Sequence, residues 1–312
     1  MFQIRRGWIF WSVLSLIGSS LISCQNFSST VLGSEKTDSL ENEKAVIKPL
    51  LLNKWDSLNK NLIKFHVDTL NPIDVKTQKK QLKDSLKKEF DKLPKHVFLT
   101  FDDGPLVGSK AIDSLATAKN IKVSVFLVGR HANFSKSRMN EVTRYKENPL
   151  VATYNHSFTH GYNKFNHFYN NTIASVKDFE KNEKDLALTH KIARLPGRNI
   201  WIYDNIRRID LQNGSKTADS LAQNGYKLFG WDTEWRINSL SGVPVQSLES
   251  VHVKMRNYLN NKSSQTPNNV VLLMHDDMFQ TKKGRQLLAN LIDSLKKENY
   301  KFEFMEDYPV KY

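Results

Sequence analysis

The sequence is poor in cysteine, with Cys24 as the only one among 312 residues. A single thiol excludes disulfide bonds within the chain, and with them the small disulfide-stabilised folds of secreted proteins. Acidic residues are also in deficit: 32 Asp and Glu stand against 46 Lys and Arg, for a formal net charge of +14. A basic balance suits an acidic partner such as nucleic acid, anionic lipid or an anionic cell-wall polymer. The basic residues are spread along the chain, so a generally basic surface is an equal alternative to a dedicated patch.

Extended hydrophobic runs are scarce too, and the longest lies at the N-terminus, where GWIFWSVLSLIGSSLIS follows Arg5 and Arg6. At about 17 residues it is short for a membrane-spanning helix, and its basic start and small final residues are typical of a signal peptide. Residues 21–24, LISC, resemble a bacterial lipobox, in which the chain is cut before the cysteine and the thiol receives a diacylglycerol. We therefore predict a signal peptide over residues 1–23 and a lipid anchor on Cys24. An uncleaved membrane anchor is the alternative.

This N-terminus predicts an exported, membrane-anchored lipoprotein of a bacterial cell envelope, facing the periplasm or the cell surface. The polar composition of residues 24–49 indicates a flexible tether. Residues 50–94 are predicted to be helical, with a break at Asn71-Pro72, because apolar residues recur there at helical spacing. The apolar positions are Leu51, Trp55, Leu58, Leu62 and Phe65, followed by Leu82, Leu86 and Phe90. The chain has no internal repeat and no interleaved basic and aromatic motif, so with the export signal it is not predicted to bind nucleic acid.

From residue 95 to residue 312, apolar strands alternate with amphipathic helices. Strands such as HVFLTF and VVLLM are apolar on both faces, and segments such as SKAIDSLATAKN are amphipathic helices. Alternation of this kind predicts βα units and a parallel sheet or barrel with helices on its outside. We therefore predict an α/β fold in which the chemistry collects at the C-terminal ends of the strands.

Polar side chains follow five of the predicted strands. They are Asp102 and Asp103 after VFLT, His156 and His160 after LVATYN, Arg194 after HKIA, Asp232 and Glu234 after YKLFGW, and His275 with Asp276 after VVLLM. Because the C-terminal ends of parallel strands meet at one edge of a sheet, these side chains are expected to form a single site.

The histidines of NHSFTH, His156 and His160, are four residues apart, so on a helical turn or in a tight loop both imidazoles can face one point. Two histidines and a carboxylate form a common site for a divalent metal with open coordination positions. Such a site gives Asp102 and Asp103 different roles, one as a metal ligand and the other as the general base on a water that the metal acidifies. The alternative is a turn whose amides are capped by the two Asp side chains.

His275 ends a strongly apolar strand and is a candidate general acid for a leaving amine or alcohol. Such an acid needs a neighbouring carboxylate, for which Asp232 and Glu234 are candidates. Arg194 is expected to pair with the base carboxylate and to orient it. The alternative for His275 is a structural histidine at a strand end.

Five ordered motifs make the sequence similar to the NodB-type polysaccharide deacetylases, the carbohydrate esterases of family four. TFDDGP, NHSFTH, ARLPGR, GWDTEW and VLLMHD resemble the five motifs of that family in order and spacing, over about residues 96–306. The resemblance implies a distorted (β/α) barrel, often of seven strands, which here would occupy residues 95–312 after the N-terminal helical segment. It also implies a divalent metal cofactor, usually zinc and sometimes cobalt or another ion.

Carried over position by position, the resemblance assigns roles to individual residues. Asp102 would be the general base, Asp103, His156 and His160 the metal ligands, Arg194 the partner that positions Asp102, His275 the general acid, and Leu273 part of the pocket for the acetyl methyl group. The implied mechanism is attack of water on the acetyl carbonyl and protonation of the departing amine.

Two motifs depart from the family pattern. In the third, Gly197 stands where the family has an aromatic residue whose amide helps to hold the oxyanion. A backbone N–H is still present at Gly197, and Trp201 is predicted to replace the lost aromatic wall. In the fourth, Glu234 and Trp235 stand where the family has Asp-Trp, so both are predicted at the site, with Asp232 as the competing partner of His275.

The predicted activity is metal-dependent removal of N-acetyl groups from amino sugars of a cell-envelope or environmental polysaccharide. Peptidoglycan, poly-N-acetylglucosamine and chitin-like polymers are all candidate substrates. An O-acetyl esterase acting on xylan or another glycan would use the same residues and is the alternative enzyme. A glycan-binding pseudoenzyme is a further alternative, which the complete metal triad disfavours. The sequence indicates no oligomeric state.

Overall fold

A computed structural model describes residues 50–65, 74–238 and 240–310. These residues belong to one compact unit that extends over Lys44–Tyr312. The predicted signal peptide, the lipidation site at Cys24 and the predicted tether lie outside the described residues and stay predictions. Within the described ranges, no helix is both long and apolar enough to cross a membrane.

The described residues form ten helices and twelve strands, together with three short 3-10 turns. The helices are α1 (residues 50–59), α2 (Val75–Asp91), α3 (Ser109–Lys119), α4 (Gly129–Ala132), α5 (Lys136–Glu147), α6 (Phe165–Asn170), α7 (Thr172–Asp185), α8 (Ser215–Gln223), α9 (Leu248–Asn261) and α10 (Lys282–Lys297). The strands are β1 (His96–Gly104), β2 (Val123–Leu127), β3 (Val151–Asn155), β4 (Ile192–Ala193), β5 (Ile200–Tyr203), β6 (Ile206–Ile209), β7 (Lys227–Leu228), β8 (Thr233–Glu234), β9 (Ile237–Asn238), β10 (Val243–Pro244), β11 (Asn269–His275) and β12 (Lys301–Phe302). The 3-10 turns are His160–Asn163, Asp276–Phe279 and Met305–Asp307.

The main sheet is a curled, largely parallel sheet, and it confirms the predicted distorted barrel. Its parallel part runs in the order β7-β4-β3-β2-β1-β11-β8, which is seven strands. The strands β5 and β6 extend this sheet as an antiparallel hairpin beside β7, and β12 pairs with the start of β1. Among the described strands, the two ends of the sheet do not pair with each other.

Both faces of the central strands are buried, as the apolar runs of the sequence predict. On β1, Val97, Leu99 and Phe101 face the layer that includes α3, α9 and α10. Phe98 lies on the other face, in an aromatic cluster that fills the concave side of the sheet. Side chains alternate between the faces of a strand, so Thr100 and Asp102 continue the face of Phe98. The concave side therefore leads from an aromatic core to a polar end.

The hairpin of β5 and β6 and the length of β12 were not predicted from the sequence. Each hairpin strand is only four residues long, and β6 presents mostly exposed or half-buried side chains, so neither gives the apolar run of a buried parallel strand. In the apolar segment YKFEFM, residues 300–305, only Lys301 and Phe302 pair with β1 before the chain enters a 3-10 helix.

The N-terminal helices α1 and α2 share a small core of their own. Leu51, Trp55 and Leu58 of α1 pack against Leu86 and Phe90 of α2. The Trp55 and Phe90 rings meet edge to face at 5.5 Å, an arrangement that aromatic pairs prefer. Leu62 departs from the predicted stripe, because α1 stops at residue 59 and Leu62 is 68% exposed, whereas Phe65 packs against this core.

Two polar contacts attach α2 to the barrel. The buried Lys262 ammonium lies 2.6 Å from the Asp91 carboxylate. The buried Asn268 amide donates to the Phe90 carbonyl oxygen at 2.6 Å. The end of α2 is thus anchored to the loop that leads into β11.

We expect Phe90→Ala to lower the free energy of unfolding by about 3–5 kcal/mol, because the side chain is fully buried and its removal leaves a cavity. Urea denaturation measures the change. Phe134, which is 85% exposed, supplies the matched control, and Phe134→Ala should change stability by no more than about 0.5 kcal/mol. Equal effects of the two substitutions would contradict the packing described for α1 and α2.

Candidate metal and active site

A β-bulge in β1 brings two adjacent carboxylates to one pocket. Successive side chains of a regular strand point to opposite faces, so Asp102 and Asp103 would normally diverge. Here the pairing of β1 with β2 shifts register between Phe101 and Gly104, and Asp103 adopts a left-handed backbone with φ of 70°. A bulge of this kind bends the strand and re-aims a side chain. Both carboxylates therefore face the same pocket, which has a volume of about 220 Å³.

The pocket unites residues from most of the predicted strand ends. It is lined by Asp102, Asp103, His156, His160, Phe165, Gly197, Trp231, Glu234, Leu273 and His275. Arg194 lies directly behind it, in contact with Asp102. The expected convergence of polar residues at the C-terminal ends of the strands is thus present in the structure.

Asp102 is held by a fully buried arginine. Arg194 donates from Nη1 to Asp102 Oδ1 at 2.8 Å. The same guanidinium donates to Thr100 Oγ1 and to the carbonyl oxygens of Phe229 and Gly230, at 2.8–3.0 Å. Burial lowers the pKa of Arg194, although Asp102 works against this shift. The pair has the contacts that a buried ion pair needs, because its hydrogen-bonding groups are satisfied on several sides.

Asp103, His156 and His160 form a cluster with the geometry of a metal site. The Nε2 atoms of His156 and His160 lie 3.5 and 3.0 Å from Asp103 Oδ1. The candidate ligand atoms of the three residues all lie within 4.8 Å of one another. Ligands about 2.0–2.2 Å from a tetrahedral zinc ion are separated by distances of this size. The three residues could therefore surround one divalent cation.

The hydrogen bonds behind the histidines also fit a cation. His156 donates from Nδ1 to the carbonyl oxygen of Arg194 at 2.8 Å, and His160 Nδ1 lies 2.7 Å from Asn163 Oδ1. Such partners place the ring proton on Nδ1 and leave the Nε2 lone pair free to ligate. Among the described residues, the buried Asp103 Oδ1 receives no hydrogen bond of good geometry. Three acceptor atoms thus face one point, and a cation there would satisfy all of them.

The electrostatics of Asp103 favour its ionised form. Burial alone opposes ionisation, but the neighbouring His156 and His160 outweigh it and hold the pKa of Asp103 well below its usual value. His160 shows the reverse balance: burial opposes its charge, while Asp103 raises its pKa overall. An ionised carboxylate is the form in which Asp binds a metal.

The two histidines are carried by a tight loop, which is one of the two predicted possibilities. Ser157 and His160 both have positive φ angles, and the His160 N–H donates to Ser157 Oγ. Asp178 of α7 accepts from the N–H groups of Phe158 and Thr159 at 2.8 and 3.0 Å. The loop is therefore held from outside the pocket while both imidazoles point inward.

Asp276, the residue after His275, has a structural role, because it binds the chain segment that follows the bulge in β1. Its carboxylate accepts from Gly108 N–H at 2.9 Å, from Ser109 Oγ at 2.5 Å and from Tyr145 Oη at 3.2 Å. Burial raises its pKa to about 6. Gly108 allows this approach, because a Cβ there would lie 1.8 Å from the Asp276 carbonyl oxygen. The end of β11 thereby fixes the chain that leaves β1.

Of the two predicted carboxylate partners for His275, the structure brings only Glu234 to the pocket. Glu234 pairs in register with Leu273, and His275 follows two residues later on the same face of β11. Asp232 is not among the residues that line the pocket, and it accepts from the N–H groups of Gln265 and Val271 at 2.5 and 2.8 Å. The proposed pairing of Asp232 with His275 is therefore wrong. His275 Nδ1 is buried without a hydrogen-bond partner among the described residues.

Both predicted tryptophans lie in the core rather than along the pocket. Trp201 is fully buried in the aromatic cluster, and Trp235 is fully buried with its indole N–H donating to the Gln246 carbonyl oxygen. Their apolar rings are better accommodated by strand faces than by the rim. The predicted place of Trp201 and Trp235 at the substrate site is therefore wrong, and the aromatic side chains that line the pocket are Phe165 and Trp231.

Phe165 occupies the space that the glycine of the third motif leaves open. Gly197 has φ of 65°, and a Cβ on it would lie 2.5 Å from the Phe165 ring. The same ring meets His160 edge-on at 5.4 Å. Phe165 comes from α6, about 30 residues before Gly197, so no local sequence signal indicates it. Leu273 lines the pocket as predicted, and Gly197 is exposed to it.

Comparison with known proteins relates part of this chain to a known family. Residues 90–194, which include Asp102, Asp103, His156, His160 and Arg194, match the family model of polysaccharide deacetylase. A family 4 carbohydrate esterase from Streptococcus mutans is 20% identical, with a TM-score of 0.53 over 70% of this chain and 90% of that one. The catalytic domain of a peptidoglycan N-acetylglucosamine deacetylase from Eubacterium rectale is 20% identical, with a TM-score of 0.51 over 68% and 89%.

The structural likeness at these identities establishes the shared fold. The search of curated proteins found no match. Residues 90–194 match the polysaccharide deacetylase model, which confirms the resemblance over the motifs TFDDGP and NHSFTH.

Asp232 should influence stability and leave the chemistry alone. Burial raises its pKa to about 7, so between about pH 4 and pH 7 the folded protein keeps a proton that the unfolded chain has released. Stability from this group is therefore highest at low pH and falls as the pH rises through that window. We therefore expect the free energy of unfolding of wild type to fall relative to that of Asp232→Asn as the pH rises through this window. Urea denaturation of both proteins from pH 4 to pH 8 measures the difference.

Glu234 supplies the contrasting variant. We expect Glu234→Gln to lower the rate of acetate release at least about tenfold, because the Glu234 carboxylate lines the pocket together with His275. Asp232→Asn should leave that rate unchanged. The opposite pattern would return Asp232 to the active site.

Proposed function

We propose that the protein is a divalent metal-dependent deacetylase that hydrolyses N-acetyl groups on amino sugars of a cell-envelope polysaccharide. The observation that supports this most directly is the joint placement, in one pocket, of an Arg-held carboxylate, a second carboxylate with two histidines, and a further histidine. These are the parts that water attack on an amide requires: a base, an electrophilic centre and an acid.

Asp103, His156 and His160 would hold the cation, most suitably zinc given two imidazoles and one carboxylate. A cation there would supply Lewis acidity to the acetyl carbonyl and to water. Asp102 is the base: Arg194 occupies its Oδ1 and leaves Oδ2, 3.6 Å from His156 Nε2, facing the cluster. A water held beside the cluster would give its proton to this oxygen as it adds to the carbonyl carbon.

The remaining pocket residues suit the later part of the reaction. The backbone N–H of Gly197 is available to the carbonyl oxygen as negative charge develops there. Leu273 offers an apolar contact for the acetyl methyl group. When the carbon–nitrogen bond breaks, His275 would protonate the departing amine, so that the products are acetate and a free amino sugar.

The choice of substrate rests on the N-acetyl bond to be hydrolysed and on the predicted location of the protein in the cell envelope. The Eubacterium rectale relative is a peptidoglycan N-acetylglucosamine deacetylase, which makes polymers of N-acetylglucosamine the first to test. We also propose that the chain is exported and anchored through Cys24, because the N-terminal run and the LISC segment have the pattern of a lipoprotein signal. An envelope glycan would then lie within reach of the enzyme.

The test is acetate release, with zinc supplied, from peptidoglycan, poly-N-acetylglucosamine, chitooligosaccharides and acetylxylan. We expect release from at least one N-acetylated polymer. Asp102→Asn should lose nearly all of the rate, about 10²–10⁴-fold, yet keep the metal, because it removes the base alone. His156→Ala should lose both metal and activity.

Release from acetylxylan alone would replace the proposal by an O-acetyl esterase. Binding of a glycan without any acetate release would replace it by a glycan-binding pseudoenzyme. Full activity of Asp102→Asn under zinc-replete conditions would refute the assignment of the base.

A further inference from the structure

The bulge in β1 leaves a backbone carbonyl group that a histidine outside the metal cluster binds. The carbonyl oxygen of Asp103 lies 2.7 Å from Nδ1 of His131, which belongs to α4. A carbonyl oxygen only accepts hydrogen bonds, so His131 Nδ1 carries the proton and donates it. This contact satisfies a backbone group of the one residue whose left-handed conformation defines the bulge.

The helix that carries His131 is hydrogen-bonded both to the strand that carries Asp103 and to the loop that carries His156 and His160. The Val128 N–H, at its start, donates to the Gly104 carbonyl oxygen at 2.7 Å, one residue beyond the bulge. The Arg130 N–H donates to the Phe158 carbonyl oxygen at 2.8 Å, inside the loop that carries His156 and His160. The short α4 therefore connects Asp103 with the loop of the histidine ligands.

The α4 backbone is closely packed against the loop of the histidine ligands and against α7. A Cβ on Gly129 would lie 2.4 Å from the Phe158 ring and 2.5 Å from Asn182 Oδ1, so the helix backbone sits directly against these groups. The His131 ring is half-buried, with its centre 6.4 Å from that of His160. His131 thus reaches the bulge from a rigid support, which is what orienting a ligand requires.

We propose that His131 is a positioning residue of the metal site: its Nδ1–H bond to the Asp103 carbonyl oxygen holds the bulge so that Oδ1 of Asp103 faces the Nε2 atoms of His156 and His160. Asp tolerates the left-handed region better than most L-residues but still adopts it infrequently, so loss of this bond would weaken the restraint that keeps the Asp103 backbone there. The carboxylate would then turn from the cluster, and the affinity for a divalent cation would fall.

Two amide substitutions separate the hydrogen bond from the bulk of the ring. In His131→Asn, the side-chain amide nitrogen can take the place of Nδ1 and donate to the Asp103 carbonyl oxygen. In His131→Gln, the longer side chain brings its amide nitrogen to the place of Nε2, away from that oxygen. Both variants are neutral and polar, so they differ mainly in where the donor lies. His167→Ala, which removes an exposed histidine from α6, is the control for weak zinc binding by surface imidazoles.

The measurement is zinc affinity of the full-length chain, by competition with a chromophoric chelator, with the melting temperature of the metal-free protein as a check on folding. We expect His131→Gln to weaken zinc binding by about 10–100-fold, the range found when partners of metal ligands are removed. His131→Asn should stay within about threefold of wild type, and His167→Ala should match wild type. The zinc-induced rise in melting temperature should shrink in the same order.

Equal zinc affinity of folded His131→Gln and wild type would overturn the inference. So would a loss of affinity in His131→Asn as large as in His131→Gln, because the ring and not the donor would then matter. The inference rests on the proposed metal site, and the two can fail separately. Failure of wild type to bind zinc would refute the metal site itself, whatever the variants do.

Discussion

The bulge in β1 is the constraint on which the site depends. An ordinary strand would send Asp103 to the helix-covered face, with Phe101, and would bury a carboxylate among apolar side chains. The left-handed backbone at Asp103 turns that carboxylate to the concave side instead, where the two histidines stabilise its charge. Two neighbouring acids can share one pocket because different cations or donors compensate each of them: Arg194 for Asp102, and the histidine pair, with any metal that it holds, for Asp103.

Arg194 connects the two halves of this arrangement. Its side chain binds Asp102, while its backbone carbonyl oxygen accepts from Nδ1 of His156. One residue at the end of β4 thus orients both the candidate base and a candidate metal ligand. Removing one partner of such a buried pair typically costs about 3–5 kcal/mol, because the other charge stays buried without compensation. Moving Asp102 away from Arg194 would carry a similar cost, so the ion pair keeps the candidate base in place.

Much of the fold could be predicted from the sequence because the strands of a parallel sheet are apolar on both faces and end in polar residues. That pattern located Asp102, His156 and His275 at one edge without any knowledge of their distances. The hairpin of β5 and β6 escaped it, since short antiparallel edge strands need no continuous apolar run. The i, i+4 histidines were predicted to face one point, and a loop with two positive φ angles achieves this.

The aromatic side chains show where sequence reasoning stops. Trp235 directly follows the pocket residue Glu234, and Trp201 lies four residues after Gly197, yet both tryptophans lie in the core, because the faces of short strands alternate. Phe165 lines the pocket because Gly197, far along the chain, has no side chain to exclude it. Contacts between distant segments, like that of His131 with Asp103, leave no local pattern. The parts of the site fixed by strand ends were predictable, and those fixed by packing between loops were not.

The central claim is the division of labour between the two neighbouring acids. Anomalous X-ray diffraction at the zinc absorption edge, from crystals of the protein grown with zinc, tests it most directly. We expect one anomalous peak within about 2.0–2.2 Å of Asp103 Oδ1 and of Nε2 in His156 and His160. Asp102 should remain on Arg194, outside the coordination sphere. A zinc ion bound by Asp102, or a peak away from this cluster with none inside it, would contradict this division of labour.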